Sequence, residues 1–500
     1  MKATLLFLAL FFLPIVGLAQ AGTLDTTFDS DGKKYFGFSS QNDYGEFVLI
    51  QPDNKIIAGG NSSLTGGNLS FSLARMHPDG SFDDTFGTSG KVTTTYGTEG
   101  FEAVSGALQS DGKIIVIGTS FINSSLGTAQ VAVVRYNTDG TLDTSFDADG
   151  IVLTQISTSN EDFGKTVKIQ PDGKILLAVQ SRIDFNRDFV LVRYNSDGSL
   201  DTTFDSDGIA RTNLPTQEAI YDIALQNDGK IIATGYIANT NDDLRVARYN
   251  GNGSLDTTFG TNGFFTYDFA SNHNYGASVA VTSDNKIIIG GRYQNTSFFS
   301  PFVAKLNSNG TFDASFDSDG ILILTTDESI SDVAIQSDDK IITFGTSNSK
   351  FGVWKLNSNG TFDTTFGNNG KAEILVNTIL SFGNGGTLQA DGKIVMIGLT
   401  FESQFMKYGV VRLNNNAPLA NSSFAAADLM IYPNPSNGTF FIQNAAELSR
   451  AEVTIYNLIG QEVTNFKMIS ATQEVTLQKG VYVVEMVNER SKVSKKIVVN

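Results

Sequence analysis

The chain has no cysteine. Disulfides, thiolate nucleophiles, zinc–thiolate sites and iron–sulfur clusters are therefore excluded. Histidine is nearly absent: His77 and His273 are the only two, far apart in the sequence. A zinc site of several imidazoles, or a Ser–His–Asp triad, has almost nothing to be made from, and both histidines are expected at the surface. Basic residues are short as well. Lys and Arg total 35 against 52 Asp and Glu, a net charge of −17. No basic run supplies the footprint that nucleic-acid binding needs. Proline is scarce at 9 beside 49 glycines, a balance that suits many tight turns between strands. Past the N terminus, no apolar stretch is long enough to cross a bilayer. No cofactor and no metal site is expected.

What is present points to export and repetition. The start, "MKATLLFLALFFLPIVGLAQAG", runs from one Lys through an apolar core to small residues, the order of a secretory signal peptide. We assign it to 1–21, with cleavage after Ala19 or Ala21. The apolar core is short for a membrane anchor, and without cysteine a lipid anchor is ruled out. The mature chain is expected to be soluble, exported and without a membrane span. Its 500 residues are 41% hydrophobic, enough for a folded core and too many for one ordinary domain.

The string "GTLDTTFDSDG" at Gly22–Gly32 returns six times, with its first Gly at 80, 140, 198, 253, 310 and 360. A period of 50–60 residues signals a propeller, solenoid or array. Each unit reads as four short strands. In one unit these are "KTVKIQ" (Lys165–Gln170), "ILLAV" (Ile175–Val179), "FVLVRYN" (Phe189–Asn195) and a fourth near "IARTNL" (Ile209–Leu214). The middle two are apolar on both faces, as strands sandwiched between sheets are. Four-stranded units around an axis are propeller blades. The first motif has only a following strand, "KKYFGF" (Lys33–Phe38), and the last unit lacks a fourth. Docking one on the other closes a ring of seven blades and removes both exposed edges. An open superhelix leaves that strand unpaired and ranks second.

Two turns recur. The short "DGK"-type turn has Asn54, Gly112, Gly173, Gly229, Asn285, Asp339 or Gly392 as its second residue. These types tolerate positive φ, and a two-residue type I′ hairpin is expected. The Lys that follows can pair with the turn Asp. The long motif opens on Asp25, Asp83, Asp143, Asp201, Asp256, Asp313 and Asp363, with a hydroxyl two residues on and Phe three on. Such an Asp accepts backbone N–H bonds within its turn. The apolar residue before it and the Phe after it, four apart, are expected to share one side of a helical turn and plug the base of the blade. A calcium loop needs more ligands, and the later acids become Gly in three copies. A structural staple ranks ahead of calcium, with weak calcium binding left to the Asp-rich copies.

Both recurring turns fall at one end of the blades, so the variable connections share the other. Function is expected there, on loops over a rigid scaffold. The candidates are Asp43, Tyr44, Glu99, Phe101, Asp162, Arg182, Arg187, Arg292 and Tyr293. Aromatics stack on sugar rings, and acids bond their hydroxyls. The competing reading is that these are solvated loops with aromatics packed at the channel entrance. A glycosidase needs two carboxylates at a fixed separation, and no pair stands out.

After Asn414 the repeat stops. A small polar linker (415–428) leads to strands split by Pro-Asn-Pro, Asn-Gly and Lys-Gly turns (429–500), expected to form a small Ig-like β-sandwich. Tyr432-Pro433-Asn434-Pro435, Gly438, "IYNLIGQEV" with Gly460, and "GVYVVEM" with Gly480 and Tyr482 precede a terminal "KKIVV". Over roughly seventy residues this resembles the C-terminal sorting domain of the type IX secretion system of Bacteroidetes. The resemblance implies passage through the periplasm to the cell surface or medium, with the outer-membrane secretion machinery as partner. The repeats from Gly22 to about Asn414 resemble the delta-60 repeat family, which brings a propeller and no active residues.

The sequence thus describes an all-β protein: a seven-bladed β-propeller closed by its N-terminal strand, then a β-sandwich. A secreted or surface-displayed binding module for glycan or protein is the leading function. The rivals are an extracellular carbohydrate-active hydrolase using a carboxylate pair on the variable face, and a passive adhesion or surface-layer component. Acids clustered toward the central channel favour the enzyme, and scattered ones favour binding or scaffold roles.

Overall fold

A computed structural model describes residues 20–415 apart from 65–66, 98–99, 124–127, 160, 184–185, 213, 215, 270–271, 296–297 and 325–327. It also describes residues 429–499 apart from 433, 435, 445–451, 458–460, 469–471 and 489–490. The expected signal peptide lies outside the described residues except for Gln20 and Ala21, as does the expected linker except for Asn415. Among the described residues all regular structure is β. Between residues 33 and 413 the strands form seven four-stranded antiparallel sheets. Six are continuous in sequence, at 43–94, 101–154, 162–211, 218–267, 274–323 and 328–374. The seventh joins three strands at 381–413 to Lys33–Phe36 from the N terminus.

That last pairing has a defined register, Lys33 opposite Val411 and Phe36 opposite Tyr408. The innermost strand of each sheet, beginning at Asp43, Phe101, Asp162, Glu218, Asn274, Glu328 or Ser381, packs on that of the next. The series closes where Ser381–Leu388 meets Asp43–Ile50. The second and third strands are buried almost throughout, because apolar clusters fill the space between successive sheets. This is the β-propeller, in which each blade lends one face to each neighbour.

The short turns differ from the expected type I′ hairpin. In the first, Asn54 N–H donates to Gln51 O and Gln51 N–H to Lys55 O, at 2.8 and 2.9 Å. Asn54 alone of the turn has positive φ, +64°. The loop therefore has three residues, a type I turn closed by one left-handed residue, and Pro52 takes a turn position that suits its fixed φ.

In the tail, a three-stranded and a four-stranded sheet enclose one core containing Phe440, Ile455, Val484 and Ile497. Asn434 accepts Val498 N–H at 3.0 Å, and Tyr482 donates to Gln478 O at 2.9 Å. Gly438 has φ +107°, and a Cβ at Gly480 would meet the Tyr482 ring at 3.0 Å. Tyr432 is exposed. Pro433, Pro435 and Gly460 lie outside the described residues.

Candidate functional site

The acid-rich motif separates cleanly from any site. Its seven lead aspartates are all buried. Each accepts the backbone N–H two residues on at 3.0–3.1 Å and that residue's hydroxyl at 2.6–2.7 Å. The other carboxyl oxygen takes the Lys of the short turn at 2.7–3.1 Å. In five copies it also takes an Arg Nε at 2.6–2.8 Å, from Arg75, Arg135, Arg193, Arg248 or Arg412. The short-turn Lys thus reaches the long-motif Asp, a stronger link than the expected pairing with its own turn Asp. Each of these Arg also donates through Nη1 to a backbone carbonyl of the next repeat, such as Gly251 O from Arg193 at 2.7 Å. The motif mortars one blade to the next.

The residue before the Asp does not form the expected helical turn. It pairs by an isolated bridge to the third strand, as Leu142 does with Tyr136, while the Phe three residues after the Asp is fully buried in every copy. The later Asp-to-Gly change also has a backbone reason. Asp29, Asp147, Asp205 and Asp317 have φ 45–48°, and Gly87, Gly260 and Gly367 have φ 51–55°. Asp and Gly are both admitted in this left-handed conformation. The N–H at each of these positions donates to a carbonyl of the adjacent repeat.

The channel is shaped by a second repeated device. Every innermost strand carries a register shift that leaves one residue unpaired: Glu46, Val104, Lys165, Tyr221, Ala277, Ser331 and Asn384. A bulge re-aims its residue, and all seven line a central cavity of about 270 Å³. One backbone geometry thus presents an acid, a base, a ring, a hydroxyl and an amide to the same space. At its floor Ser278 Oγ sits 2.9 Å from Asp222 Oδ2 and 3.0 Å from Asp332 Oδ1. One hydroxyl hydrogen serves one carboxylate, so the second contact needs a proton on an acid. Burial, then repulsion from Asp222, pushes Asp332 up to about 6.

Two residues before each bulge lies the next layer outward, on the same strand face. Here stand Tyr44, Glu102, Phe163, Ala219, Tyr275, Ser329 and Phe382. Ala219 is small, and Tyr236 lies directly across from it. The result is an aromatic arc. The ring centroids of Tyr221 and Tyr236 are 6.0 Å apart, those of Tyr236 and Tyr275 5.1 Å, and those of Tyr275 and Phe299 6.2 Å. The Arg292 guanidinium lies 5.4 Å from the Tyr275 ring and 4.6 Å from that of Phe299. The Arg187 guanidinium lies close enough to Tyr236 to act on its phenol electrostatically. Tyr275 donates to Asp242 Oδ2 at 2.6 Å, and His273 Nδ1 is 2.9 Å from the same oxygen. Burial raises Tyr221 to about 12 and also lifts Tyr236 and Tyr275, the last helped by its bond to Asp242. The three phenols stay neutral; Tyr275 spends its hydrogen on Asp242 and can accept, while Tyr221 and Tyr236 can donate and accept.

Two further acids, Glu46 and Glu102, come from the first and second blades, away from the arc. Glu46 is pushed up to about 7 by enclosure and by Glu102, against a 3.2 Å bond from Asn384. Glu102 is also raised by burial, with Lys165 opposing, and burial lowers Lys165.

The sequence-derived candidates divide accordingly. Asp43, Phe101 and Asp162 occupy equivalent first positions of their strands and are fully buried. Asp43 pairs with Lys407 at 2.9 Å, and Asp162 accepts Ser181 Oγ at 2.6 Å. They pin the blade edge and do not face a ligand, because one step along a strand changes face. Tyr44, the next residue, shares the face of the aromatic arc. Arg182 is spent on Glu161 at 2.6 Å. Tyr293 packs toward the core against Phe269, centroids 5.5 Å apart. Glu99 lies outside the described residues. Arg187 and Arg292 stand at the mouth, exposed. The sequence-derived candidates do not single out Glu46, Glu102, Lys165, Tyr221, Tyr236 or Tyr275. Their signal was the spread of chemistry at one strand position across seven otherwise similar repeats.

Comparison with known proteins gives two family matches. Residues 430–500 match the secretion system C-terminal sorting domain. Residues 51–86, 109–146, 170–204, 226–259, 282–316 and 336–366 match a β-propeller described as a domain of unknown function, DUF5122. No curated protein matches. Among solved structures, PorZ, a surface component of the type-IX secretion system of Porphyromonas gingivalis, is similar at 11% identity and TM-score 0.41. That match covers 93% of this chain, which spans 60% of PorZ. The polysaccharide lyase Uly1 is similar at 10% identity and TM-score 0.48, over 79% of this chain and 98% of its own. Extracellular domains of Drosophila semaphorin 1b match at 10% and TM-score 0.38, over 78% and 87%.

Proposed function

We propose that this chain, which carries the DUF5122 β-propeller repeats and a sorting domain that directs it to the cell surface or beyond, binds a glycan at the mouth of its channel. The sorting domain implies the type IX secretion machinery as the export partner. The observation that carries the reading is the arc of Tyr221, Tyr236, Tyr275 and Phe299, with neutral hydroxyls beside ring faces. Apolar ring faces stack on the C–H face of a sugar, and phenols exchange hydrogen bonds with its hydroxyls.

A hydrolase is the second reading, favoured by Glu46 and Glu102 together on the channel side. Glu46 at about 7 suits a general acid. A glycosidase also needs a partner held as carboxylate, and Glu102 is pushed the same way as Glu46. Binding therefore ranks ahead. One assay tests both: retention of polysaccharides by the mature protein, with chain length read on the same samples. Retention of intact chains, reduced by Tyr236→Ala or Tyr275→Ala, is the expected result. Shortened chains that depend on Glu46 would replace it with the hydrolase. No retention and no shortening would remove the glycan reading.

A further inference from the structure

The propeller has ten arginines. Eight form ion pairs: Arg75, Arg135, Arg193, Arg248 and Arg412 with motif aspartates, Arg182 with Glu161, Arg211 with Asp207, and Arg245 with Glu218. Among the described residues only Arg187 and Arg292 pair with no carboxylate. In a chain of net charge −17, a guanidinium without an acid is out of pattern. Both flank the same aromatic arc. Arg187 lies beside Tyr236, and Arg292 lies over Tyr275 and Phe299. Lys165, a bulge residue between Glu102 and Arg187, adds a third cation at this side of the mouth.

The nearby acids do not cancel them. Asp242, held by Tyr275 and His273, brings one negative charge to the arc against two guanidiniums. Glu102 faces Lys165, and Glu46 lies beyond Glu102. We infer that the ligand is an acidic saccharide, its anionic groups taken by Arg187 and Arg292 and its rings by the tyrosines between them. A guanidinium offers a planar fork of donors that fits a carboxylate or a sulfate ester. An anion here would also supply the counter-charge that every other arginine of the propeller finds within the chain. This rests on the glycan reading above and names its ligand class.

The test uses the full mature chain and paired polymers that differ in charge: polygalacturonate against its methyl ester, and dextran sulfate against dextran. Calorimetric titration is run at low and high salt. The expected result is binding to at least one charged member, about tenfold or more weaker for its neutral twin. That binding should weaken again at high salt and in Arg187→Gln and Arg292→Gln. Both side chains are exposed, so unchanged melting of these variants is expected and keeps the comparison clean. Binding to polygalacturonate alone would identify a carboxylate, and binding to dextran sulfate alone a sulfate. Equal binding of charged and neutral twins, or full affinity in the double variant, would overturn the acidic class and leave the glycan reading standing. Binding to none of the four would overturn both.

Discussion

Ring closure can be tested by removing what performs it. A chain beginning at Gln41 loses the strand Lys33–Phe36 that completes the seventh sheet. It loses the buried side chains of Phe28 and Phe36, each contributing about 1.5–3 kcal/mol. It also loses Asp25, whose carboxylate meets Arg412 Nε at 2.7 Å and Lys393 at 2.9 Å. Arg412 is then left buried without its acid, at a cost of about 3–5 kcal/mol. Together these amount to about 6–11 kcal/mol, most of the stability of an ordinary domain. For about 390 residues, with unfolding entropy near 2 cal/mol/K per residue, Tm should fall by roughly 7–13 °C. Asp25→Asn isolates the ion pair, with roughly 4–6 °C expected, and Asp201→Asn makes the same change inside a continuous blade. Differential scanning calorimetry reads all three. A truncated chain that melts within about 2 °C of the parent would refute closure by the N-terminal strand.

Further outcomes are expected. At Asp25, Asp313 and Asp363, hydrogen bonds and cations outweigh burial and hold the carboxyls down to about 2, so their stabilisation disappears as pH falls from about 4 to 2. Burial raises Glu46 and Glu218 to about 7 and Asp332 to about 6. Their contribution is full below about pH 4 and fades as pH rises through 6 to 7. Thermal melts from pH 2 to 9 should therefore peak near pH 4–5, and a flat plateau from 5 to 8 would contradict this. Arg193→Met should cost about 3–5 kcal/mol in chemical denaturation, and Lys174→Met, whose amine is partly exposed, under about 1 kcal/mol; equal losses would mean that burial does not set the value. Gly367 N–H donates to Ala21 O at 2.8 Å, the seventh member of a ring of bonds made elsewhere by Asp or Asn carbonyls. The secreted chain should therefore begin at Gln20, and an intact mass starting at Gly22 would show that this bond is dispensable.

The sequence by itself determined the blade. A hydroxyl two residues after an Asp, a Phe three after it and a Gly seven after it recur because each copy solves the same turn, and local chemistry suffices for that. It also showed that the stretch Lys33–Phe38 lacks a partner and that the last repeat lacks a strand, so their pairing follows from the edge each leaves open. The tail was legible from its ordered motifs. Tertiary structure alone decided which charges meet. The Lys of one turn and the Asp of the next motif, 23 to 30 residues apart in the six pairs that lie within a continuous blade, come together only once the strands between them have folded back. The site was hidden for the same reason. Asp43 and Tyr44 are neighbours in sequence, yet the pleat buries one and turns the other to the channel. A bulge at the fourth residue then re-aims Glu46, Lys165 and Tyr221 inward. Tyr221, Tyr236, Tyr275, Arg187 and Arg292 come from three successive blades, and only the packing of those blades brings their chemistry to one place.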